Sequence, residues 1–255
     1  MIKHLAGSAT AFILPKCRFD RSIFIMGHMR CGSTALSNIL CSHPQISGYG
    51  EAHIRYKSRS ELGLLILNQI KRNSYRQNSA YLFDKILHSR YDSENSAEFF
   101  KSRVIFMIRE PIKTIESIRN LFSSIGSNEY SNDGLASDYY EERICSLMAN
   151  WEKFPPRHRI GISFEQLKTN PEKNLVKISE MIGLTPPLTN SYQQPKNGLG
   201  HGAGDPLTSH KYNKIISDDI STTSTDKLHQ IKLPDNRLQA LHNLYDEALA
   251  TVTQV

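Results

Sequence analysis

The sequence predicts a single α/β domain built on a doubly wound parallel sheet flanked by helices. Three observations predict it. Short apolar runs recur at residues 22–26, 81–86, 103–108 and 159–163 and alternate with longer helical patterns. The first run passes through a glycine-containing loop straight into a helix, the strand–loop–helix unit of such sheets. The composition, 39% hydrophobic and 22% charged over 255 residues, is globular. That length allows one large domain or two small ones, and the unbroken strand–helix alternation argues for one, spanning 1–255.

Each element has its own signal. Ser22 to Met26 reads as a buried strand of a parallel sheet, because it is apolar throughout rather than alternating. Gly27 to Ser33 is the loop, and Thr34 to Leu40 starts a helix. Glu61 to Lys71 is a helix with an apolar face, and Tyr81 to Ile86 a second strand. Arg103 to Ile108 is the clearest further strand, and Ile112 to Leu121 the helix after it, with Pro111 suited to its first turn. Ser123 to Ser137, rich in Ser, Asn, Gly and Asp, reads as a mobile surface loop. Glu141 to Phe154 is helical and carries the sole tryptophan, Trp151. Arg159 to Ser163 is a short strand. Pro171 to Met181 is a helix, with Gly183 just beyond its end. Residues 20–184 form the core, 185–226 a polar stretch with a late glycine-rich loop, and 235–250 a closing amphipathic helix.

The bulk numbers narrow the partners. A formal net charge of +6 favours anions. Lys and Arg are scattered, with no basic tract, which weighs against nucleic acid. The four cysteines, Cys17, Cys31, Cys41 and Cys145, form no CxxC pair, so free thiols are expected and no metal site is suggested. No apolar run approaches the roughly 18–20 residues that span a bilayer. The patch at Ala11 to Leu14 is too short for a secretory leader, so a cytoplasmic protein is expected.

The chemistry begins at Gly27 to Thr34. The glycine spacing is that of G-x-x-x-x-G-K-[ST], but Ser33 stands where the lysine belongs. That lysine reaches the β and γ phosphates of a nucleoside triphosphate, so its absence argues against a triphosphatase. The loop and the helix N-terminus still offer N–H groups to a smaller phosphate, and Arg30 adds a cation.

Here the sequence resembles the sulfotransferases that use 3′-phosphoadenosine 5′-phosphosulfate (PAPS). Their lysine-poor loop has the form P-R-S-G-[ST]-T. Arg30, Cys31, Gly32, Ser33 and Thr34 match it, with Met29 in place of Pro and Cys31 in place of Ser. In that family an Arg after a later strand and a Ser eight residues on contact the 3′-phosphate. Arg109 and Ser117 have this spacing. The chemistry suits it, since a guanidinium fork and a hydroxyl both donate to phosphate oxygens. A third stretch, Phe164-Glu165-Gln166-Leu167 with Asn170-Pro171 and Gly183-Leu184, is similar to the family's Y-E-D-L…N-P…L-G-L segment, with Phe164 where Tyr is common. The closest patterns are those of tyrosylprotein and bacterial carbohydrate or small-molecule sulfotransferases.

The resemblance implies a P-loop-type fold, PAPS as donor, PAP (3′-phosphoadenosine 5′-phosphate) as product, and transfer of sulfonate to a hydroxyl of a small acceptor, a carbohydrate or a secondary metabolite. It implies no metal, because protein cations supply the electrostatics. Glu51, after His43-Pro44 and Gly50, resembles the family's H-P…G-E base, and His53 is the rival base; His28 is a weaker candidate, more readily a spacer or an acceptor contact. Lys85, in an Asp84-Lys85 pair, takes the place of the lysine that stabilises the transferring sulfonate. Arg30 and Thr34 would hold the 5′-phosphosulfate. The late loop Gly198 to Asp205, with Lys211 and Lys214, would close over the nucleotide. Residues 54–80 and 120–145, with Arg55, Tyr56, Arg59, Tyr139 and Tyr140, are expected to shape the acceptor pocket. The competing readings are a P-loop nucleotide kinase or other phosphotransferase, resting on the glycine loop alone, and a non-catalytic anion-binding protein, resting on charge alone.

Overall fold

The computed structural model describes residues 2–193, 212–216 and 231–253. In chain order the regular elements are α1 (Ile2–Ile13), β1 (Ser22–Gly27), α2 (Ser33–Ser42), β2 (Ile46–Ser47), α3 (Ser60–Lys71), β3 (Tyr81–Ile86), β4 (Arg103–Ile108), α4 (Pro111–Ser124), α5 (Asp133–Trp151), β5 (Arg159–Ser163), α6 (Phe164–Thr169), α7 (Pro171–Ile182) and α8 (Asp235–Val252). The strands form one sheet in the order β2-β3-β1-β4-β5. All four neighbouring pairs are parallel. The expected α/β architecture is therefore present.

Parallel strands covered on both faces read as unbroken apolar runs, and β1 is buried along its whole length. Its side chains alternate between two cores. Phe24 and Met26 join Val104 and Phe106 under Trp151 and Phe154 on one face. Ile23 and Ile25 join Ile105 and Met107 under Leu36, Leu175 and Ile178 on the other. Helices on both faces make the sheet doubly wound. Among the described residues, no helix is long and apolar enough to cross a membrane.

Besides the short helix α6, for which the sequence carried no expectation, three elements differ from it. The first is α1, which the sequence reading left unassigned. It packs on α3 through facing glycines: a Cβ on Gly7 would lie 2.6 Å from the Ser60 carbonyl, and one on Gly63 would strike the Gly7 carbonyl. The second is the two-residue strand β2, too short to carry a pattern. The third is the predicted loop 123–137, which shrinks to residues 125–132. Asn132 caps α5 by accepting the Leu135 N–H at 2.9 Å, and Asp133 pairs with Arg119 at 2.6 Å. Asn and Asp are as much helix caps as loop formers, so composition alone mistook a helix start for a loop.

Candidate active site

The C-terminal ends of β1, β3, β4 and β5 converge on one side of the sheet, where ligands of open α/β sheets bind. A cavity of about 490 Å³ lies there, lined by Arg30, Ser33, Thr34, Glu51, Lys85 and Arg109 among others.

The glycine loop is built for close backbone approach. A Cβ on Gly27 would lie 2.9 Å from the Met107 carbonyl of the neighbouring strand. Arg30 and Gly32 take left-handed φ values of 64° and 82°. A Cβ on Gly32 would run into the Phe164 ring. Only glycine meets both demands at that position. The helix α2 follows at once, with its first-turn N–H groups lacking intrahelical partners and Ser33 and Thr34 facing the cavity.

The loop and the β4–α4 junction are locked together. The Arg109 N–H donates to His28 Nε2 at 2.9 Å, while His28 Nδ1 lies 2.8 Å from the Met29 carbonyl and so carries the proton. Burial holds His28 at about 3, neutral at any ordinary pH. His28 is thus a bridge beneath the loop and neither a base nor an acceptor contact. Arg109 donates to the Arg30 carbonyl at 3.0 Å and lies 4.4 Å over the Phe164 ring. Arg30 Nε donates to Ser117 Oγ at 2.8 Å. The two expected donor motifs therefore meet in space. Cys31 departs from expectation. Its side chain is fully buried in the core beneath the loop, and its N–H turns back to the His28 carbonyl, so neither is presented to the cavity.

Three titratable side chains gather at Glu51. Lys85 Nζ is 3.3 Å from Glu51 Oε1, and His53 Nε2 is 3.3 Å from Glu51 Oε2. Burial pushes the Glu51 carboxyl up, but Lys85 and then His53 outweigh it and hold it at about 2. The trio is placed by Asp84. Its Oδ1 accepts the Ala52 and Lys85 N–H groups, both at 2.8 Å, and its Oδ2 accepts the Tyr56 hydroxyl at 2.6 Å. The Lys85 N–H is shared with the Gly50 carbonyl at 3.1 Å. One buried carboxylate thus pins the residues flanking Glu51 to the end of β3. Burial raises Asp84 to about 7 against those three donors.

The acceptor residues expected from sequence are mostly framework. Tyr56 serves Asp84. Tyr139 accepts the Met29 N–H at 2.8 Å and donates to the Leu87 carbonyl at 2.6 Å. Tyr140 donates to the Arg109 carbonyl at 2.8 Å. Arg59 donates to the Cys17 carbonyl, and exposed Arg55 is not among the cavity residues. Met29, Leu87, His88 and Leu121 are among the side chains that do line the cavity. A further framework residue, Arg143, is fully buried. It donates to the Gly27 and Ile86 carbonyls at 2.8 and 3.1 Å and pairs with Asp92 at 2.7 Å, tying the ends of β1 and β3 together. Beside Glu141 and Glu142 on a helix, it carried no sequence signal.

On the far side, Lys214 lines the cavity. Its segment is held by Asn190, which bonds both the N–H and the carbonyl of Ile215, and by the Tyr192 N–H to the Asn213 carbonyl at 2.8 Å. Lys211 and Gly198 to Asp205 lie outside the described residues.

No sequence among curated proteins matches the chain. Solved structures do match. The sulfotransferase domain from the curacin biosynthetic pathway has a TM-score of 0.60 at 17% identity, covering 88% of this chain and 96% of that one. The sulfotransferase domain from the Synechococcus PCC 7002 olefin synthase gives 0.58 at 18%, with 88% and 94% covered. Mouse sulfotransferase SULT7A1, solved with PAP, gives 0.54 at 12%, with 97% and 88% covered. Identities this low speak for the fold. The sequence model of the sulfotransferase family matches residues 22–85 and 58–187, from β1 through the glycine loop and Glu51 to the segment beyond α7. With the matched fold and well over half the chain aligned to that model, this protein belongs to the sulfotransferase family.

Proposed function

We propose that this protein transfers sulfonate from PAPS to a hydroxyl of a small acceptor. The observation that carries the reading is the meeting of a lysine-free phosphate loop with the Glu51–Lys85 pair across one cavity. The PAP seen with the mouse structure supports the same donor here. Arg30, Ser33, Thr34 and the α2 N-terminus would hold the 5′-phosphosulfate, Gly32 granting the close approach. Arg109, with Ser117 steadying Arg30 beside it, and Lys214 would take the 3′-phosphate.

The reaction is an in-line displacement at sulfur. The acceptor hydroxyl gives its proton to Glu51 as its oxygen bonds to sulfur. The bond from sulfur to the 5′-phosphate oxygen breaks, and PAP leaves carrying that electron pair. Lys85 and Arg30 offset the charge that builds on the sulfonate and the leaving phosphate. Glu51 at about 2 is a weak base while Lys85 sits on it. A sulfonate drawing Lys85 away strengthens that base, so proton removal is tied to the presence of the donor. His53 is the second group on Glu51 and fixes the carboxylate from its other oxygen.

Calorimetry tests the donor assignment. PAP is expected to bind far more tightly than AMP. Arg109→Ala should remove about 10–150-fold of PAP affinity, the scale of a charged hydrogen bond, and little of AMP affinity. Equal affinity for PAP and AMP in the wild-type protein would overturn the 3′-phosphate assignment.

A further inference from the structure

Helix α1 is turned inside out. A surface helix ordinarily sends its large apolar side chains inward and its polar ones out. In α1 the small residues go in. Gly7 and Ala11 are buried against α3, so close that a Cβ on Gly63 would strike the backbone of both. The large residues go out. Phe12 is 91% exposed, Ile13 71% and Leu5 64%. Ala6 and Ala9, also exposed, complete the same face, one and four residues beyond Leu5 where Phe12 and Ile13 are seven and eight beyond it. No polar or charged residue interrupts that face. An exposed apolar patch of this kind marks a surface that meets something.

The charge around it has one sign. Helix α1 and the turn after it are bound to α3 and its flanks. His4 lies 3.6 Å from Glu61, Ser8 Oγ lies 2.9 Å from Ser60 Oγ, and Lys16 Nζ donates to the Arg76 and Gln77 carbonyls at 3.1 and 2.7 Å. Residues 1–21 and 55–76, which hold the two helices and their flanks, carry ten Lys or Arg against two acids, Asp20 and Glu61. Their formal sum is +8 in a chain of net +6, so the remainder sums to −2. Glu61 is buried and accepts the Ser58 N–H at 2.8 Å. Arg18 and Lys57 are met by Asp20 and Glu94. Lys3, Arg21, Arg55 and Lys71 are exposed. The positive charge of the molecule thus sits on the body that carries the apolar face.

Two copies docked through this face would set +8 against +8, and like charges brought together oppose association. An apolar layer beneath a negative surface answers both features at once. We infer that α1 seats this protein on an anionic lipid surface. Leu5, Phe12 and Ile13 enter the boundary between headgroups and acyl chains, and the cations of α1, α3 and their flanks meet the headgroups. At 12 residues α1 falls well short of the roughly 20 that cross a bilayer, so it lies in the surface and does not span it. Gly7 and Gly63 serve that placement by letting α1 lie close on α3, so the apolar face is presented by the folded body. The inference draws on nothing in the cavity at Glu51 and stands or falls apart from the sulfonate chemistry.

Flotation of the full chain with lipid vesicles reads it. Vesicles of equal phosphatidylcholine and phosphatidylglycerol are expected to bind the protein at least about tenfold more tightly than phosphatidylcholine alone, a difference that fades in high salt. Phe12→Glu should weaken binding to the anionic vesicles by at least about tenfold, the scale of one large apolar side chain kept in water. Its thermal unfolding should match wild type, because Phe12 is almost wholly exposed. Ile125→Glu, at an apolar position 57% exposed between α4 and α5, should bind as wild type does. No binding to the anionic vesicles at low salt overturns the inference. So does binding that Phe12→Glu leaves intact, or neutral vesicles bound as tightly as anionic ones. A wild-type dimer in sedimentation that Phe12→Glu splits, with no vesicle binding, gives the face to a second copy and overturns it as well.

Discussion

Asp84 offers the sharpest perturbation, because its carboxylate touches no cavity ligand and yet sets where Glu51 stands. Asp84→Ala removes the partners of three donors. The Lys85 N–H keeps the Gly50 carbonyl. The Ala52 N–H and the buried Tyr56 hydroxyl are left with nothing. A buried donor without a partner costs about 1–3 kcal/mol, so stranding the Tyr56 hydroxyl should destabilise the fold by about that much, the half-exposed Ala52 adding less. Its effect on turnover is separate. Releasing the Ala52 N–H frees the loop that carries Glu51, and a displacement of about 1 Å at a reacting group lowers rate by about a hundredfold.

Asp84→Asn discriminates geometry from charge. The amide oxygen can accept both backbone N–H groups, and the amide NH₂ can donate to a Tyr56 hydroxyl that has rotated. The expected result is a kcat within about threefold of wild type for Asn and a loss of about a hundredfold for Ala, with KM for PAPS unchanged in both. Denaturant unfolding with steady-state turnover at a temperature where both variants are folded reads the two effects. If Asp84→Ala loses stability but keeps turnover, Asp84 holds the fold and not the base. An Asn variant as slow as the Ala variant would refute the hydrogen-bond argument in favour of the charge.

The remaining expectations are shorter. Glu51→Gln should keep PAP affinity and lose at least about a hundredfold in turnover, the usual scale for a positioned base; near wild-type turnover removes Glu51 from that role. Because Lys85 and His53 hold Glu51 at about 2 against the pull of burial before the donor arrives, kcat/KM for PAPS, which reports the donor-free protein, should show no acid limb at the ordinary glutamate value, whereas a saturating donor that draws Lys85 away should move the limb up toward it. A limb near about 6.5 would instead mark an imidazole base. Asp84 shifts the other way. Its folded value of about 7 lies above the ordinary 3.8, so the ionised form is disfavoured in the fold and stability falls as pH rises between those values. Asp84→Asn should flatten that slope, worth up to about 4 kcal/mol at 1.36 kcal/mol per pH unit, in unfolding curves taken from pH 4 to 8; an unchanged slope assigns it to another group. Arg143→Met strands the Asp92 carboxylate in the interior and should cost about 3–5 kcal/mol in urea unfolding, whereas a loss under 1 kcal/mol would mean water reaches that pair.

What the sequence made legible was contiguous. The β1–loop–α2 unit shows itself because one short segment carries an apolar run, two glycines at fixed spacing and a helix start. Arg109 and Ser117 are legible for the same reason, since helix α4 sets their separation. Lys85 and Glu51 were legible only by resemblance. They come from different strand ends, and nothing local says that they meet. The clamps were hidden altogether. Tyr56, Tyr139, Tyr140 and Arg143 look like polar helix and loop residues, and all four sit in the ranges assigned to the acceptor. In the fold each spends its polar atoms on a backbone group or a buried carboxylate. A helix pattern tells which face is buried, but not whether a polar atom on that face finds a partner across the sheet.

The same hidden clamps explain how the site can hold charges under strain of position. Phosphate loops need backbone in the left-handed region, here at Arg30, which is not glycine and bears the steric penalty of that conformation. The Arg109 guanidinium on the Arg30 carbonyl and the Tyr139 hydroxyl on the Met29 N–H hold the loop from two sides. Gly27 is held from below by Arg143. The cations that would meet the donor therefore begin from fixed positions, and binding need not order them first. Preorganisation of this kind favours the transition state over water as a partner for charge. It also gives Arg109 a double part, as clamp and as expected phosphate ligand, which is why its replacement should be read by the difference between PAP and AMP and not by PAP alone.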